Sequence, residues 1–273
     1  MVQPKYDGEC NKLIIKDGQV NLQRFEGRSK TDFYPEIIEY AEKLKLPDMV
    51  LVGEVCILLN ELVASFPHIQ LRMNTQNKAK QKLAMKDKLA TFMAFDIEEY
   101  DGKNLDKVPY GERYSIMQQE ALKQHIVTWK DGQPSARIMP VRNIAKLADH
   151  TWKEFVKEYE MEGIVVKNPD SPIEQVKLKN WDEDDFKIIG TETTEAGEAR
   201  GWFISKLTLE DTKGTHVDKG QQFDCKYINY PQTKQAKKDV IGKTAIVKYM
   251  KMKGRDGQYL APRHPSLVEI LEF

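Results

Sequence analysis

The sequence lacks the features that would place the chain in a membrane or in an oxidising compartment. Its 273 residues contain three cysteines, Cys10, Cys56 and Cys225, which are too few and too scattered for a disulfide framework or a zinc site. No apolar run approaches the roughly 20 residues of a membrane span, and the first residues, MVQPKYDG, do not resemble a signal peptide. We therefore expect a soluble, cytoplasmic protein with no membrane partner.

The chain also has no net charge, because 42 Lys and Arg residues balance 42 Asp and Glu residues. A net charge of zero argues weakly against a nucleic-acid partner, but the distribution of charge matters more than the sum. Between Lys226 and Arg263 there are ten basic residues against Asp239 and Asp256. A second basic run extends over residues 72–88. Either run can be a binding surface or an ordinary solvated face.

The hydrophobic pattern predicts two domains of mixed structure, as a chain of this length favours. A hairpin is expected around Asp17-Gly18, a helix from Pro35 to Pro47, and a buried strand over Met49–Leu59, which unusually contains Glu54. Further helices are expected over residues 77–89, 111–124 and 145–160, and further strands over residues 90–97 and 163–166. Short β-like runs beyond about Asp185 indicate a small barrel.

Five short motifs follow one another along the chain. They are Lys5-Tyr6-Asp7-Gly8, Val52-Gly53-Glu54, Phe95-Asp96-Ile97, the segment 162–167 and Lys177-Leu178-Lys179, with Arg24 after the first. Each alone is weak, because the first has the composition of a surface turn. Their order resembles the collinear motifs of the covalent nucleotidyltransferases, the superfamily of ATP-dependent DNA ligases, RNA ligases and mRNA capping enzymes.

The connecting segments narrow this resemblance. The segments 62–72, 95–113, 185–190 and 262–267 are similar to stretches of cellular and archaeal-type DNA ligases. The resemblance covers nearly the whole chain and favours a DNA ligase over a capping enzyme. It implies an α+β protein with a nucleotidyltransferase (adenylation) domain over residues 1–183 and a small OB-fold β-barrel over residues 184–273.

The resemblance implies that ATP adenylates Lys5, that AMP passes to the 5′-phosphate at a nick, and that the 3′-hydroxyl then displaces AMP. A lysine nucleophile must be neutral, whereas an unperturbed lysine, with a pKa of about 10.4, is neutral in roughly one molecule in 2,500 at pH 7. Lys177 and Lys179 lie two residues apart on a strand-like segment and are expected to share one face. The charges of these two lysines would favour the neutral form of the Lys5 amine and would bind phosphate. The alternative is that the two lysines form only a solvated strand face.

The resemblance also implies which residues hold ATP and Mg²⁺. Glu54 is expected to accept a hydrogen bond from a ribose hydroxyl, with a structural ion pair as the alternative. Phe95 is expected to stack on adenine, and Gln3 and Arg24 to contact the nucleotide. Glu162 is expected to hold Mg²⁺ directly or through water, although it could also be a simple turn residue.

The implied partner is nicked duplex DNA, and the protein is expected to be monomeric. The basic residues expected to contact DNA are Arg24, Lys248, Lys251, Lys253 and Arg263. Only four residues precede Lys5, so nick binding is expected to come from the two domains alone. The expected location is the cytoplasm of a prokaryotic or virus-infected cell.

Two departures from the ligase pattern leave alternatives open. Cys10 stands where the first motif normally ends in arginine, and Val52 stands where an aspartate is often found. The C-terminal region also lacks a clear Arg-x-Asp-Lys element. An RNA ligase or RNA-tolerant nick ligase therefore stays possible, as does a nucleic-acid-binding protein whose catalytic fold has decayed.

Overall fold

The computed structural model describes residues 1–73, 75, 77–121, 127–147, 151–195, 202–214, 220–226, 231–232 and 240–271. The chain forms two compact units, Met1–Asn180 and Trp181–Phe273. The division falls slightly before the predicted boundary of 183/184, because the first strand of the second unit already begins at Asp182. No helix in these ranges is long and apolar enough to cross a membrane.

The first unit contains eleven strands and five α-helices within the described residues. The strands are β1 (Val2–Pro4), β2 (Glu9–Lys16), β3 (Gln19–Gln23), β4 (Met49–Cys56), β5 (Thr91–Tyr100), β6 (Lys103–Asn104), β7 (Trp129–Lys130), β8 (Gln133–Pro134), β9 (Ile138–Pro140), β10 (Gly163–Lys167) and β11 (Gln175–Lys179). The helices are α1 (Pro35–Leu44), α2 (Phe66–Met73), α3 (Lys78–Asp87), α4 (Tyr110–Ile116), which continues as a π-helical turn Met117–Ala121, and α5 (Trp152–Glu158). A 3₁₀ turn covers Thr31–Phe33.

Two sheets organise this unit. The larger has the order β3-β2-β4-β5-β6, with β9 added parallel to β5, and the smaller has the antiparallel order β1-β10-β11. Strands β7 and β8 form a separate ribbon. The predicted hairpin is confirmed as β2 and β3, whose turn places Asp17 and Gly18 at positive φ, as a tight two-residue hairpin requires.

Local capping signals explain where the helices begin. The Asn77 side chain accepts hydrogen bonds from the backbone of Ala79 and Lys80 at the start of α3, and Thr151 forms a reciprocal capping box with Glu154 at the start of α5. The predicted helix over 145–160 is therefore wrong at its start, since residues 145–147 are not helical and residues 148–150 lie outside the described ranges. The end predicted for the helix over 111–124 also lies outside them.

Arg72 is a buried structural residue, so the basic run over 72–88 does not begin on the surface. Its guanidinium makes a two-pronged ion pair with Glu36, and one nitrogen also donates to the Phe33 carbonyl at 2.7 Å. Glu36 in turn accepts from the Ala90 backbone at 2.9 Å. The pair, together with these two backbone contacts, ties α1 to α2 and to the start of β5.

The second unit is a closed five-stranded, OB-like barrel. The strands that close it are β12 (Asp182–Glu195), β13 (Trp202–Glu210), β14 (Gln222–Lys226), β16 (Thr244–Met250) and β17 (Arg263–Leu271). The two-residue β15 (Pro231–Gln232) is an additional strand that pairs with β13. The long β12 pairs with both β13 and β16, and β17 joins β16 to β14, which closes the barrel. Aromatic rings of Phe186, Phe223 and Tyr249 meet edge to face in its core. The mixed α+β class and the barrel are thus confirmed.

Candidate nucleotide-binding and catalytic site

Lys5 lies directly after β1, where the smaller sheet ends. Its backbone N–H donates to the Gly163 carbonyl at 3.0 Å, so the chain stays attached to β10 beyond the last residue of the strand. Its ammonium forms an ion pair of 2.5 Å with Glu162, whose side chain is only 7% exposed. The structure therefore brings the predicted nucleophile and the predicted metal ligand into direct contact.

The same sheet gathers three more predicted residues. Val165 in the central strand β10 faces Gln3 of β1 on one side and Lys177 of β11 on the other. Lys179 faces Gly163, beside the carbonyl that holds Lys5. Alternation along β11 puts Lys177 and Lys179 on one face, as the sequence predicted. One short sheet thus carries residues from three distant segments of the chain.

Two motif glycines are required by close backbone approach. A Cβ on Gly163 would lie 2.1 Å from the Leu178 carbonyl oxygen, and a Cβ on Gly8 would lie 2.2 Å from the Val55 carbonyl oxygen. Neither distance leaves room for a methyl group. Gly163 therefore allows β10 and β11 to pair beside Lys5, and Gly8 brings the loop after Lys5 against β4.

Glu54 of β4 belongs to this site by its electrostatic surroundings. Burial raises the pKa of its carboxyl to about 8, while the charge of Lys5 lowers the pKa and the charges of Glu162 and Asp7 raise it further. The Gly8 backbone hydrogen bond opposes the rise. A carboxyl that is largely protonated at neutral pH can both donate and accept a hydrogen bond, which suits contact with a hydroxyl group.

Cys10 stands directly opposite Glu54 in the pairing of β2 with β4. Although its surface is exposed, its thiol loses part of its hydration to surrounding atoms, and this loss raises its pKa to about 12. The negative charge of Glu54 also raises that pKa, whereas Lys177 and Lys5 lower it. Cys10 is therefore an un-ionised thiol within electrostatic reach of both lysines.

Phe95, the residue predicted to stack on adenine, is fixed in place by two hydrogen bonds to its backbone carbonyl oxygen. That oxygen accepts hydrogen bonds from the Tyr110 hydroxyl at 2.9 Å and from the Lys167 ammonium at 2.7 Å. Tyr110 also accepts a 2.8 Å hydrogen bond from the side-chain amide of Gln3. A buried polar network thus joins β1, β5, α4 and β10.

The side-chain amide oxygen of Gln3 lies at the end of this network and accepts no hydrogen bond from the residues that the structure describes. Gln3 is buried, and its Oε1 atom has no hydrogen-bond partner in the structure. A buried acceptor without a donor costs roughly 1 to 3 kcal/mol, so such an atom indicates a place where a ligand's donor belongs.

Lys167 and Tyr110 have no role predicted from the sequence, yet both belong to this network. Lys167 is 6% exposed, and burial lowers its pKa to about 8, opposed by Asp96 and assisted by Arg113 and Lys177. Its ammonium lies 3.9 Å from the centre of the Tyr110 ring. Lys167 could have been singled out from the sequence, because it is a lysine at the end of an apolar strand within a motif. Nothing in the local sequence singles out Tyr110.

Arg24 belongs to a different network. Its guanidinium forms an ion pair with the buried carboxylate of Glu9, which also contacts Lys30 at 2.8 Å and the Tyr34 hydroxyl at 2.8 Å. Glu26 lies 3.8 Å from the same guanidinium. The described contacts of Arg24 therefore fix the β3 end of the hairpin, and its role toward nucleotide or DNA stays a prediction.

Besides Arg24, the four basic residues predicted to bind DNA lie in the second unit. Lys248 stacks over the Trp181 ring at 5.4 Å, Lys251 lies 3.5 Å from Asp182, and Lys253 lies over the Tyr259 ring at 5.2 Å. Arg263 begins β17, opposite Met250. Lys248 and Lys253 are exposed, as phosphate-binding side chains must be, and their contact with DNA stays a prediction.

A metal site made wholly of protein ligands is not apparent. Among the described residues, no group of three or more His, Cys, Asp and Glu side chains could hold a metal ion. Mg²⁺ commonly takes one or two carboxylates and completes its shell with water and substrate phosphates. Glu162 beside Lys5 fits that pattern as a single carboxylate ligand.

Comparison with known proteins agrees with this geometry. A family model described as "ATP dependent DNA ligase domain" matches residues 1–182. The bifunctional non-homologous end joining protein LigD of Bacillus subtilis is 27% identical over 184 residues, covering 65% of this chain and 30% of that protein. DNA ligase 2 of Thermofilum pendens is 26% identical over 183 residues, covering 66% of this chain and 29% of that protein. The matched part thus spans under a third of either relative.

Solved structures show the same fold. A structure from a structure-function analysis of Lig E DNA ligases has a TM-score of 0.63 at 16% identity and covers 99% of this chain and 91% of that one. The ligase domain of M. tuberculosis LigD has a TM-score of 0.51 at 18% identity and covers 99% of this chain and 88% of that one. At these identities the likeness establishes architecture.

Proposed function

Because the chain belongs to the ATP-dependent DNA ligase domain family, we propose that it seals nicks in duplex DNA through AMP bound covalently to Lys5. The observation that carries the proposal is the contact of Lys5 with Glu162 at the end of the β1-β10-β11 sheet. The same sheet supplies two further lysines, at positions 177 and 179. A nucleophile, a carboxylate and phosphate-binding cations are the groups that adenylyl transfer needs.

ATP fits the residues present. The orphaned amide oxygen of Gln3 matches the exocyclic amino group of adenine, which is a hydrogen-bond donor. Phe95 offers a ring for stacking beside it, and Glu54 offers a carboxyl for the ribose. Two predicted lysines, Lys177 and Lys179, would bind the phosphates.

In the proposed chemistry the neutral Lys5 amine attacks the α-phosphorus of ATP. The new Nζ–P bond replaces the bond from the α-phosphorus to the bridging oxygen, pyrophosphate leaves, and the amine releases a proton. An oxygen of the 5′-phosphate at the nick then attacks the AMP phosphorus and breaks the Nζ–P bond, and the departing Lys5 nitrogen takes up a proton to become an amine again. Finally the 3′-hydroxyl attacks the 5′-phosphorus, loses its proton and expels AMP, which leaves a phosphodiester.

The ion pair of Lys5 with Glu162 holds the amine at the end of the sheet, and Lys177 lies on β11 of the same sheet. Mg²⁺, when bound through Glu162, would neutralise phosphate charge.

We further propose that the nick is bound as duplex DNA by a monomer, in the cytoplasm of a prokaryotic or virus-infected cell. The exposed lysines of the barrel, Lys248 and Lys253, support the DNA contact because they are surface cations whose ammonium groups are positioned by neighbouring aromatic rings. The bacterial and archaeal origins of the relatives support the location.

A panel of nicked duplexes tests the proposal. DNA or RNA would supply either the 3′-hydroxyl strand or the 5′-phosphate strand, and sealing would be followed on denaturing gels with ATP and Mg²⁺. We expect sealing of the all-DNA nick and none by Lys5→Ala, with Lys16→Ala as a matched surface control. Preferential sealing of RNA strands would make the protein an RNA ligase, and no sealing of any nick would favour a catalytically decayed DNA-binding protein.

A further inference from the structure

We propose that Tyr110 is a positioning residue for nucleobase selection, because its single hydroxyl proton dictates which end of the Gln3 amide faces the base. The inference rests on the proposed binding of ATP. It concerns the choice of adenine over guanine, which present opposite hydrogen-bonding groups at the same ring position. Adenine carries an amino donor there and guanine a carbonyl acceptor.

The direction of each hydrogen bond follows from the chemistry of the partners. The Phe95 carbonyl can only accept, so the Tyr110 hydroxyl must donate its one proton to it, at 2.9 Å. The hydroxyl oxygen is then left as an acceptor toward Gln3, at 2.8 Å. Gln3 must therefore present its NH₂ group to Tyr110, and its carbonyl oxygen is turned away.

The orientation of the Gln3 amide is set by the Phe95 carbonyl, which is an acceptor at one end of the chain of hydrogen bonds. The result agrees with the buried, unpartnered Oε1 atom of Gln3. The amino group of adenine can donate a hydrogen bond to that atom. The carbonyl of guanine in the same place would set two acceptors against each other, and no hydrogen bond could form.

Surrounding groups keep Tyr110 from reversing its role. The Lys167 ammonium also donates to the Phe95 carbonyl, at 2.7 Å, and lies over the Tyr110 ring at 3.9 Å, while the Arg113 guanidinium lies 5.6 Å from the same ring. Burial raises the pKa of the Tyr110 hydroxyl well above its usual value. The hydroxyl thus keeps its proton, and two cations lie close to its ring.

The test measures binding without chemistry. Dissociation constants for α,β-methylene-ATP and α,β-methylene-GTP, which Lys5 cannot cleave, would be measured by calorimetry on the wild type, Tyr110→Phe and Tyr114→Phe. Tyr114 is a matched control: its hydroxyl donates to the Val141 carbonyl at 2.9 Å, and its ring neighbours Tyr110 at 5.9 Å. The same hydroxyl accepts hydrogen bonds from the Gln118 side chain and the Asn143 backbone, which lie outside the Gln3 network.

We expect the wild type and Tyr114→Phe to prefer the ATP analogue by about ten-fold or more. Tyr110→Phe frees the Gln3 amide to turn and should reduce that ratio by about ten-fold, largely through tighter binding of the GTP analogue. An unchanged ratio in Tyr110→Phe would overturn the positioning role of Tyr110 but leave the proposed function standing. A wild type that binds neither analogue would overturn the proposed function with it.

A second measurement on the wild type covers the case in which Tyr110→Phe does not fold. In a ¹⁵N-edited NMR spectrum, the side-chain NH₂ protons of Gln3 should show NOEs to the ring protons of Tyr110. NOEs from those NH₂ protons to groups on the opposite side, with none to Tyr110, would contradict the proposed orientation.

Discussion

Cys10 lies at the position where the resemblance implies an arginine, and its setting suits one. The residue faces Glu54 across the β2–β4 pairing, and its surface is exposed. We predict that Cys10→Arg accelerates sealing by about ten-fold, or about 1.4 kcal/mol of transition-state stabilisation, because guanidinium binds phosphate through a planar fork. Single-turnover sealing of a nicked duplex by pre-adenylated protein measures the rate.

The control for this substitution is Cys10→Lys, which adds the same charge without the fork. We expect it to give a smaller gain than arginine. An arginine variant no faster than the wild type would mean that neighbouring cations already perform the role, with Lys12 as the first residue to substitute.

Glu54 predicts a specific dependence of stability on pH. Its pKa rises from 4.5 to about 8 on folding because of burial, so the folded state holds the proton more tightly than the unfolded chain does. The stabilising effect of protonation is complete below about pH 4.5 and disappears as pH rises toward 8. Above that, the wild type carries a buried charge that glutamine cannot acquire.

We therefore predict that the stability of Glu54→Gln relative to the wild type increases between pH 5 and pH 9, by at least about 1 kcal/mol. Urea unfolding without nucleotide at the two pH values measures the difference. A difference that is constant with pH, or that shrinks, would show that Glu54 is ionised throughout this range.

At the scale of elements, the site depends on the close pairing of β10 with β11. A side chain at Gly163 would place Cβ 2.1 Å from the Leu178 carbonyl oxygen, so the two strands would have to separate. We predict that Gly163→Ala destabilises the protein by at least about 2 kcal/mol. Thermal and urea denaturation would measure it.

Gly190 on β12 is the matched control, because its nearest neighbour would be Thr208 at 3.4 Å. Gly190→Ala should change stability by less than about 1 kcal/mol. Equal effects at the two glycines would mean that the β10–β11 contact gives way easily, and that Gly163 has no special structural role.

Elements that are specified by neighbouring residues could be predicted from the sequence. Asp17-Gly18 fixes its own hairpin, and the barrel strands follow from alternation. The start of α5 was missed because the apolar pattern extends before Thr151, whereas the capping box sets the boundary.

The site was predictable only in part, for a related reason. The motifs identified Lys5, Glu54 and Glu162, which the structure brings together. Gln3 and Tyr110, in contrast, are 107 residues apart, so their hydrogen bond is set by tertiary packing and leaves no local signal. The ion pair of Arg24 with the buried Glu9 likewise has no local signal in the sequence, and the role of Arg24 toward nucleotide or DNA stays a prediction.

At the scale of the whole molecule, the barrel's basic residues predict a salt-dependent contribution to DNA affinity. Each phosphate contact changes the slope of log affinity against log salt by about 0.9 for duplex DNA. Replacing Lys248, Lys251 and Lys253 together by alanine should therefore reduce that slope by up to about 2.7. Binding of a nicked duplex, measured by fluorescence anisotropy over a range of salt concentrations, gives the slope.

The matched control removes three exposed lysines from one face of α3, Lys78, Lys82 and Lys86. This variant changes the net charge by the same amount, so any difference in DNA affinity between the two triple variants reflects where the lysines lie. If both triple variants lose the same affinity and slope, the barrel lysines act only through general charge.

The central claim is that Lys5 carries the nucleotide, and intact-mass spectrometry tests it most directly. After incubation with ATP and Mg²⁺, the wild type and Lys16→Ala should gain the mass of one AMP, and peptide mapping should place it on Lys5. Lys5→Ala, with an unchanged circular dichroism spectrum, should gain none. A Lys5→Ala protein that still becomes adenylated, or an AMP that maps to another residue of the wild type, would contradict the account.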